Sequence, residues 1–243
     1  MKRLFLIFIC IPGVWFCTFA QNSIGHGHIG LYTMTVGEIK LTVITDGHLP
    51  VNPVQAEFAQ RIDSTKVAKT LENHFSSPVE VDLAMNVLLL EWGDKRVLID
   101  TGAGGIFGND SGHLGENLAY AGLSPKDVTD VVLSHAHPDH IGGLTDKRSG
   151  ELLYPNADVW ISKEECTFWL SDIPDFSKST MTDKTHMQML VQVARRNINA
   201  AKNRLRMYND GDTLLGCLQM LVVPGHTPGP VSYTHLTLPT NRE

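Results

Sequence analysis

Apolar and polar positions alternate from Leu31 to Thr35 and again from Ile39 to Thr45, on either side of Gly37. A period of two flanking a glycine predicts a β-hairpin, closed off at Asp46-Gly47. Thr65 to Phe75 reads as a helix opened by Asp63 or Ser64. Ala84–Trp92 and Arg96–Ile99 flank Gly93-Asp94 and predict a second hairpin. Its run Val87-Leu88-Leu89-Leu90 has no polar side, so that strand should be covered on both faces.

The pattern then changes. A glycine-rich loop follows Asp100-Thr101-Gly102 and extends to Gly108, and Leu114–Ala121 reads as a short helix. Ser124-Pro125 opens another turn with proline in its first position. Val131–Leu133 and Val159–Ile161 are short apolar strands. Ser162-Lys163-Glu164-Glu165 fits a capping box at a helix start. Met187, Leu190, Val191, Ala194 and Ile198 keep helical spacing across 183–201, and Leu218–Val223 reads as a strand running into Pro224-Gly225-His226. Hairpins first and crossovers later indicate a layered α/β fold, with His135 and His226 at the carboxyl ends of strands, where such folds carry their chemistry.

Composition narrows the partners. The chain has 243 residues, 42% of them hydrophobic, with 20 Lys+Arg against 26 Asp+Glu for a net charge of −6. That suits a globular domain and offers no basic excess for a phosphate backbone, so no nucleic acid partner is expected. A homo-oligomer is compatible with it. Lys2 and Arg3, the apolar run Leu4–Phe19 and Thr18-Phe19-Ala20 predict a cleavable signal peptide over 1–20, a periplasmic or secreted protein and no stable membrane anchor. Val231 to Thr240 resembles the translation of a transposon-end sequencing adapter. The expected organisation is therefore a signal over 1–20, an incomplete domain over 21–229 and a non-native tail over 230–243. Cys166 and Cys217 are the cysteines of that domain; they could pair or sit buried as thiols.

The segment that carries chemistry is His135-Ala136-His137-Pro138-Asp139-His140. With 11 histidines in 243 residues, six positions should hold about 0.3 of one by chance, and these hold three. His135 and His137, two apart at a strand end, can turn to one side. Pro138 can begin a helix whose first turn carries Asp139 and His140. Imidazole and carboxylate suit zinc, and also iron or manganese. Paired ions in hydrolytic sites lie about 3.5–4 Å apart, within reach of two such ligand pairs. No G-x-S-x-G nucleophile elbow occurs in the chain.

These residues resemble the HxHxDH motif of the metallo-β-lactamase superfamily. Gly225-His226-Thr227-Pro228-Gly229 resembles its later GHTPG turn, and Asp100-Thr101-Gly102 its early DTG. The resemblance runs from about Leu31 to Gly229. Thr45-Asp46-Gly47, the Leu98–Gly104 stretch and the exported N-terminus look most like the branch of methyl parathion hydrolases and lactonases. It implies an αββα sandwich and two divalent metal ions, with zinc foremost and iron or manganese as alternatives. His135, His137 and His226 would hold one ion; Asp139 and His140 would belong to the second. Asp139 would also relay a proton as a catalytic residue, and Asp100 would orient a ligand without binding metal. A metal-activated water would then attack a small ester, lactone or phosphotriester. His140 favours those substrates over β-lactams.

The same resemblance expects a bridging aspartate and a final histidine beyond Gly229. The C-terminal part of the second half is therefore read as missing, with an incomplete second metal site and impaired activity. A di-iron redox member and a non-catalytic metal-binding fragment are the alternatives. His26 and His28 read as part of a solvated arm, His48 as a loop residue, and His74, His113 and His186 as surface or core. Trp160, Phe168 and Trp169 read as core before pocket, and Phe107 as a pocket candidate.

Overall fold

The computed structural model describes residues 30–179, 181 and 183–232. The signal over 1–20, the His26/His28 arm, His235 and the tail beyond Ser232 lie outside those residues. β1 (Leu31–Val36) and β2 (Ile39–Val51) form the first hairpin. β2 does not stop at Asp46-Gly47 as the sequence suggested. A register shift between Thr45 and Gly47 absorbs one residue, and the strand continues to Val51. α1 (Val54–Phe58) and α2 (Ser64–Asn73) follow. Asp63 caps α2, its carboxylate accepting from the amides of Thr65 and Lys66. β3 (Val81–Trp92) and β4 (Lys95–Ile99) make the second hairpin.

From there the connections are crossovers. α3 (Leu114–Tyr120) leads to β5 (Asp130–Val132), which is followed by α4 (Pro138–Ile141). β6 (Asp158–Ser162) runs directly into α5 (Lys163–Leu170), and α6 (Lys184–Ala200) leads to β7 (Leu205–Tyr208). The seven strands lie in the order β1-β2-β3-β4-β5-β6-β7. β1 to β4 pair antiparallel, while β4 to β7 pair parallel. Among the described residues, no helix is long and apolar enough to cross a membrane.

Alternation along the central strands sends side chains to two cores. Val87, Leu89, Leu98, Val131, Leu133, Val159 and Ile161 face the helical layer, where Leu118, Trp169, Leu190, Ala194 and Ile198 meet them. Leu90, Val97, Ile99 and Val132 face the other way, against Tyr208, Leu214, Leu218, Met220 and Val231. The apolar run in β3 is thus covered on both sides, as its lack of a polar face required. Cys166 belongs to the first core and Cys217 to the second, on opposite faces of the sheet.

The second face is covered by short strands. β8 (Thr213–Leu214) pairs with β9 (Leu218–Gln219), and β10 (Leu221–Val222) pairs with β11 (Val231–Ser232). The single strand expected over 218–223 is therefore split at Met220. That residue is buried, and its amide bonds the Asp212 carbonyl. Helices, mixed sheet and this outer strand layer give the α/β sandwich of the metallo-β-lactamase type.

Asp46 holds the bulge to the glycine-rich loop. It is almost wholly buried. Oδ2 accepts from the amides of Ala103 and Gly112, and Oδ1 from that of Leu114. Burial pushes its carboxyl above the ordinary range, and the three amide hydrogen bonds pull it back only in part. Gly102, at φ +69°, lets the loop pass; a Cβ there would lie 2.3 Å from the Asp46 Cγ. Removing the carboxylate strands three amides. Asp46→Ala should therefore lower folding stability by about 3–5 kcal/mol, read as a shift in the urea midpoint.

Candidate metal centre

The parallel strands set the site. Ile99 pairs with Val132, and Val132 with Trp160, so β4, β5 and β6 end side by side. Beyond β4 the chain turns sharply at Asp100, which adopts φ +67°. A short polar side chain tolerates that left-handed conformation better than most. Beyond β5 come Ser134, His135 and His137, and Pro138 starts α4 with Asp139 and His140 in its only turn. The amide and hydroxyl of Thr101 both donate to the His140 carbonyl, at 2.7 and 2.9 Å, which pins the end of α4 to the DTG loop.

Three imidazoles converge. His135 Nε2 lies 3.2 Å from His137 Nδ1, which lies 2.9 Å from His226 Nε2. One ligand atom from each falls within 4.8 Å of the others. The His135 ring packs edge-on to those of His137 and His226 at 4.8 and 4.9 Å between centroids. His226 arrives from the 224–229 turn, 89 residues from His137 in sequence. Burial, then the neighbouring imidazoles, hold the His135 pKa down to about 2 and that of His137 to about 4. Both are therefore neutral at physiological pH with lone pairs available.

Beside them lies an ionic half. His140 Nδ1 is 2.8 Å from Asp100 Oδ2, and its Nε2 is 3.2 Å from Asp139 Oδ2. Burial opposes charge on His140, yet hydrogen bonds and charge from Asp100 and Asp139 carry its pKa up to about 10. Burial likewise works against an ionised Asp139, but His140 holds its pKa down to about 2.

Ser134 joins the two halves. Its amide donates to Asp100 Oδ1, and its hydroxyl to Asp100 Oδ2, at 2.7 Å each. A hydroxyl has one proton, so Ser134 Oγ accepts from His135 Nδ1 at 3.1 Å. His135 then carries its proton on Nδ1 and presents the Nε2 lone pair to the cluster. His140 is likewise held through Nδ1, which leaves Nε2 facing Asp139.

The donor set suits a cation. The three imidazole nitrogens crowd one another at 2.9 and 3.2 Å, where one divalent ion would take a lone pair from each. Zinc is the ion this nitrogen-rich set favours, with iron and manganese compatible. His135, His137 and His226 are thus brought together, and Asp100, His140 and Asp139 lie in mutual contact beside them.

The remaining aromatic and histidine residues separate. Trp169 is core, yet its ring meets the His137 ring edge at 5.7 Å, and Phe168 and Phe176 stack beside it. Trp160 belongs to the opposite core and donates to Asp130. His48 is exposed and pairs with Asp82. Phe107 is half-buried in the glycine-rich loop. Two residues were not singled out by sequence. The signal for Ser134 is its place immediately before the motif, and the only signal at Glu165 is its place as the last residue of the Ser162–Glu165 capping box.

Comparison with known proteins agrees with this geometry. A family model described as "Metallo-beta-lactamase superfamily" matches residues 82–235. The chain belongs to that superfamily. The structure of AidC, described as a dizinc quorum-quenching lactonase in complex with a product, N-hexanoyl-L-homoserine, is 34% identical with a TM-score of 0.79. The match covers 87% of this chain and 71% of that one. The hydrolase AbOPH is 29% identical with a TM-score of 0.74, over 86% of this chain and 70% of that one. Metallo-beta-lactamase domain-containing protein 1 of Mus musculus is 32% identical over 146 residues, 58% of this chain and 51% of its own length. The chain thus spans about half of that curated relative.

Two outcomes test the centre. Asp100→Asn would set an NH2 against His140 Nδ1–H and force that proton to Nε2. Binding of a second zinc equivalent should weaken about 10–100-fold, measured by competition with a chelating dye. Because His140 keeps its proton to about pH 10, a cation taking its Nε2 must displace that proton. Affinity for the second equivalent should therefore rise as pH increases from 6 to 9, by up to about tenfold per unit. The first equivalent, which draws on His135 and His137 with no proton to displace over this range, should depend on pH less. Calorimetry in buffers of different ionisation enthalpy counts the protons released.

Proposed function

We propose that this chain is the metal-binding domain of a hydrolase acting on a small ester, lactone or phosphotriester. The observation that carries the reading is the convergence of three imidazole rings, from His135, His137 and His226, beside the Asp100–His140–Asp139 chain. His135, His137 and His226 would hold one divalent ion, and Asp139 and His140 would contribute to a second. When bound, such ions polarise a carbonyl or phosphoryl oxygen and bring the ionisation of water into the neutral range.

The chain's own groups supply the rest. Asp100 and Ser134 fix the ring orientation of His135 and His140. Asp139, about a third exposed, would relay a proton to the leaving group. Trp169, with Phe168 and Phe176 packed edge-on against it, backs the His137 ring from the core side and helps to hold it in place.

The similarity to AidC, described as a lactonase, and to the hydrolase AbOPH supports the lactone and ester classes first. It also favours the branch of lactonases and methyl parathion hydrolases. Zinc is the proposed ion. The experiment is hydrolysis of an acyl-homoserine lactone, an aryl ester and an aryl phosphotriester by the purified chain. Activity should vanish with a chelator and return with zinc, and His135→Ala should lower kcat/KM at least about 1,000-fold. Bound iron with a visible absorption band, and no turnover of these substrates, would favour the redox alternative.

A further inference from the structure

Glu165 is completely buried, the third residue of α5; its amide bonds the Ser162 cap, but its carboxylate does not turn back to the helix start as a capping box would have it. Oε2 accepts from the amide of Ala136 at 3.1 Å and from the indole Nε1 of Trp169 at 2.7 Å. Oε1 accepts from the amide of Gly229 at 3.0 Å. Ala136 lies between His135 and His137. Gly229 is three residues beyond His226 and closes its turn. One carboxylate thus bonds both backbone segments that deliver the three converging imidazoles, and it also bonds the indole whose ring abuts His137.

The fit around it is tight. The Ser162 hydroxyl donates to the Gly229 carbonyl at 2.7 Å and accepts from the Glu165 amide at 3.1 Å. A Cβ on Gly229 would lie 2.7 Å from Ser162 Oγ and 2.9 Å from the Glu165 nitrogen. Only glycine lets the turn approach the start of α5 this closely. All three partners of the Glu165 side chain are donors, and they use both oxygens. An amide at this position can accept on one oxygen alone.

We infer that Glu165 is a positioning residue for the metal centre: its carboxylate sets the His226 turn against the His135–His137 segment, and so fixes the three nitrogens at coordinating separation. This rests on the metal-centre reading above. It deepens that reading by naming what holds ligands so far apart in sequence at one point. Residues that orient metal ligands commonly change affinity about 10–100-fold when altered.

The test is zinc affinity and the absorption spectrum of the cobalt-substituted protein, for the whole chain and for Glu165→Gln, with His226→Ala as reference. Glutamine preserves volume and keeps an acceptor for one segment, but turns an NH2 toward the other. The expected result is a folded variant with zinc affinity for the first equivalent weakened about 10–100-fold. Its cobalt visible bands should lose intensity in the same direction as those of His226→Ala. Wild-type affinity and an unchanged cobalt spectrum, even with a lower melting temperature, would overturn the inference, because a residue that only supports the fold would give that result. Should Glu165→Gln fail to fold, Ser162→Ala decides by the same criteria, since it releases both the Gly229 carbonyl and the Glu165 amide that hold the turn against α5: weakened zinc binding supports the inference and wild-type binding overturns it. If the unaltered chain binds no zinc, the metal-centre reading itself fails and the inference with it. A wild-type chain that binds zinc alongside an unaffected variant removes only the role of Glu165.

Discussion

Parallel pairing of β4, β5 and β6 is the constraint on which the site depends. Parallel strands leave a sheet in the same direction, so whatever follows Ile99, Val132 and Ser162 must gather along one edge. Asp100, Ser134 with the histidine segment, and the start of α5 follow them. The apolar residues of these strands are buried on both faces, which excludes slippage of the register and with it any displacement of the polar residues at the ends.

Along that edge, burial and charge act in opposite senses on two neighbouring groups. Burial and the neighbouring imidazoles keep His135 and His137 neutral, which suits lone-pair donation. Next to them His140 is held charged by Asp100 and Asp139, and Asp139 is held ionised by His140, at contacts of 2.8 and 3.2 Å. Ser134 links the halves through its single hydroxyl proton, so the orientation of His135 follows from that of Asp100. The site therefore has a defined tautomer and polarity before any cation arrives.

Two buried carboxylates do structural work around this edge without belonging to the converging group. Asp46 gathers three amides of the glycine-rich loop, and Glu165 gathers two ligand-bearing segments and an indole. In each case a buried acid is satisfied by backbone donors, and the loop it binds lacks side chains where it passes closest. Loops that would otherwise wander are held to the sheet by hydrogen bonds that lose more when broken in the interior than they would in water.

Local sequence was enough for the hairpins, the buried character of Val87–Leu90, the Asp63 cap and the His135–His140 cluster, because each depends on neighbours within a few residues. The metallo-β-lactamase type of fold and the grouping of His226 with His135 and His137 were implied by the resemblance of the His135–His140 and Gly225–Gly229 motifs to that superfamily. The continuation of β2 past Asp46, the break at Met220 and the partners of Glu165 were not. A bulge, a strand that changes partners and a carboxylate shared by two distant amides are each fixed by groups tens of residues away. Periodicity and capping rules describe a chain against its own near neighbours, whereas these features depend on which segments the closed sheet brings within hydrogen-bonding distance, and that is decided only when the tertiary structure forms.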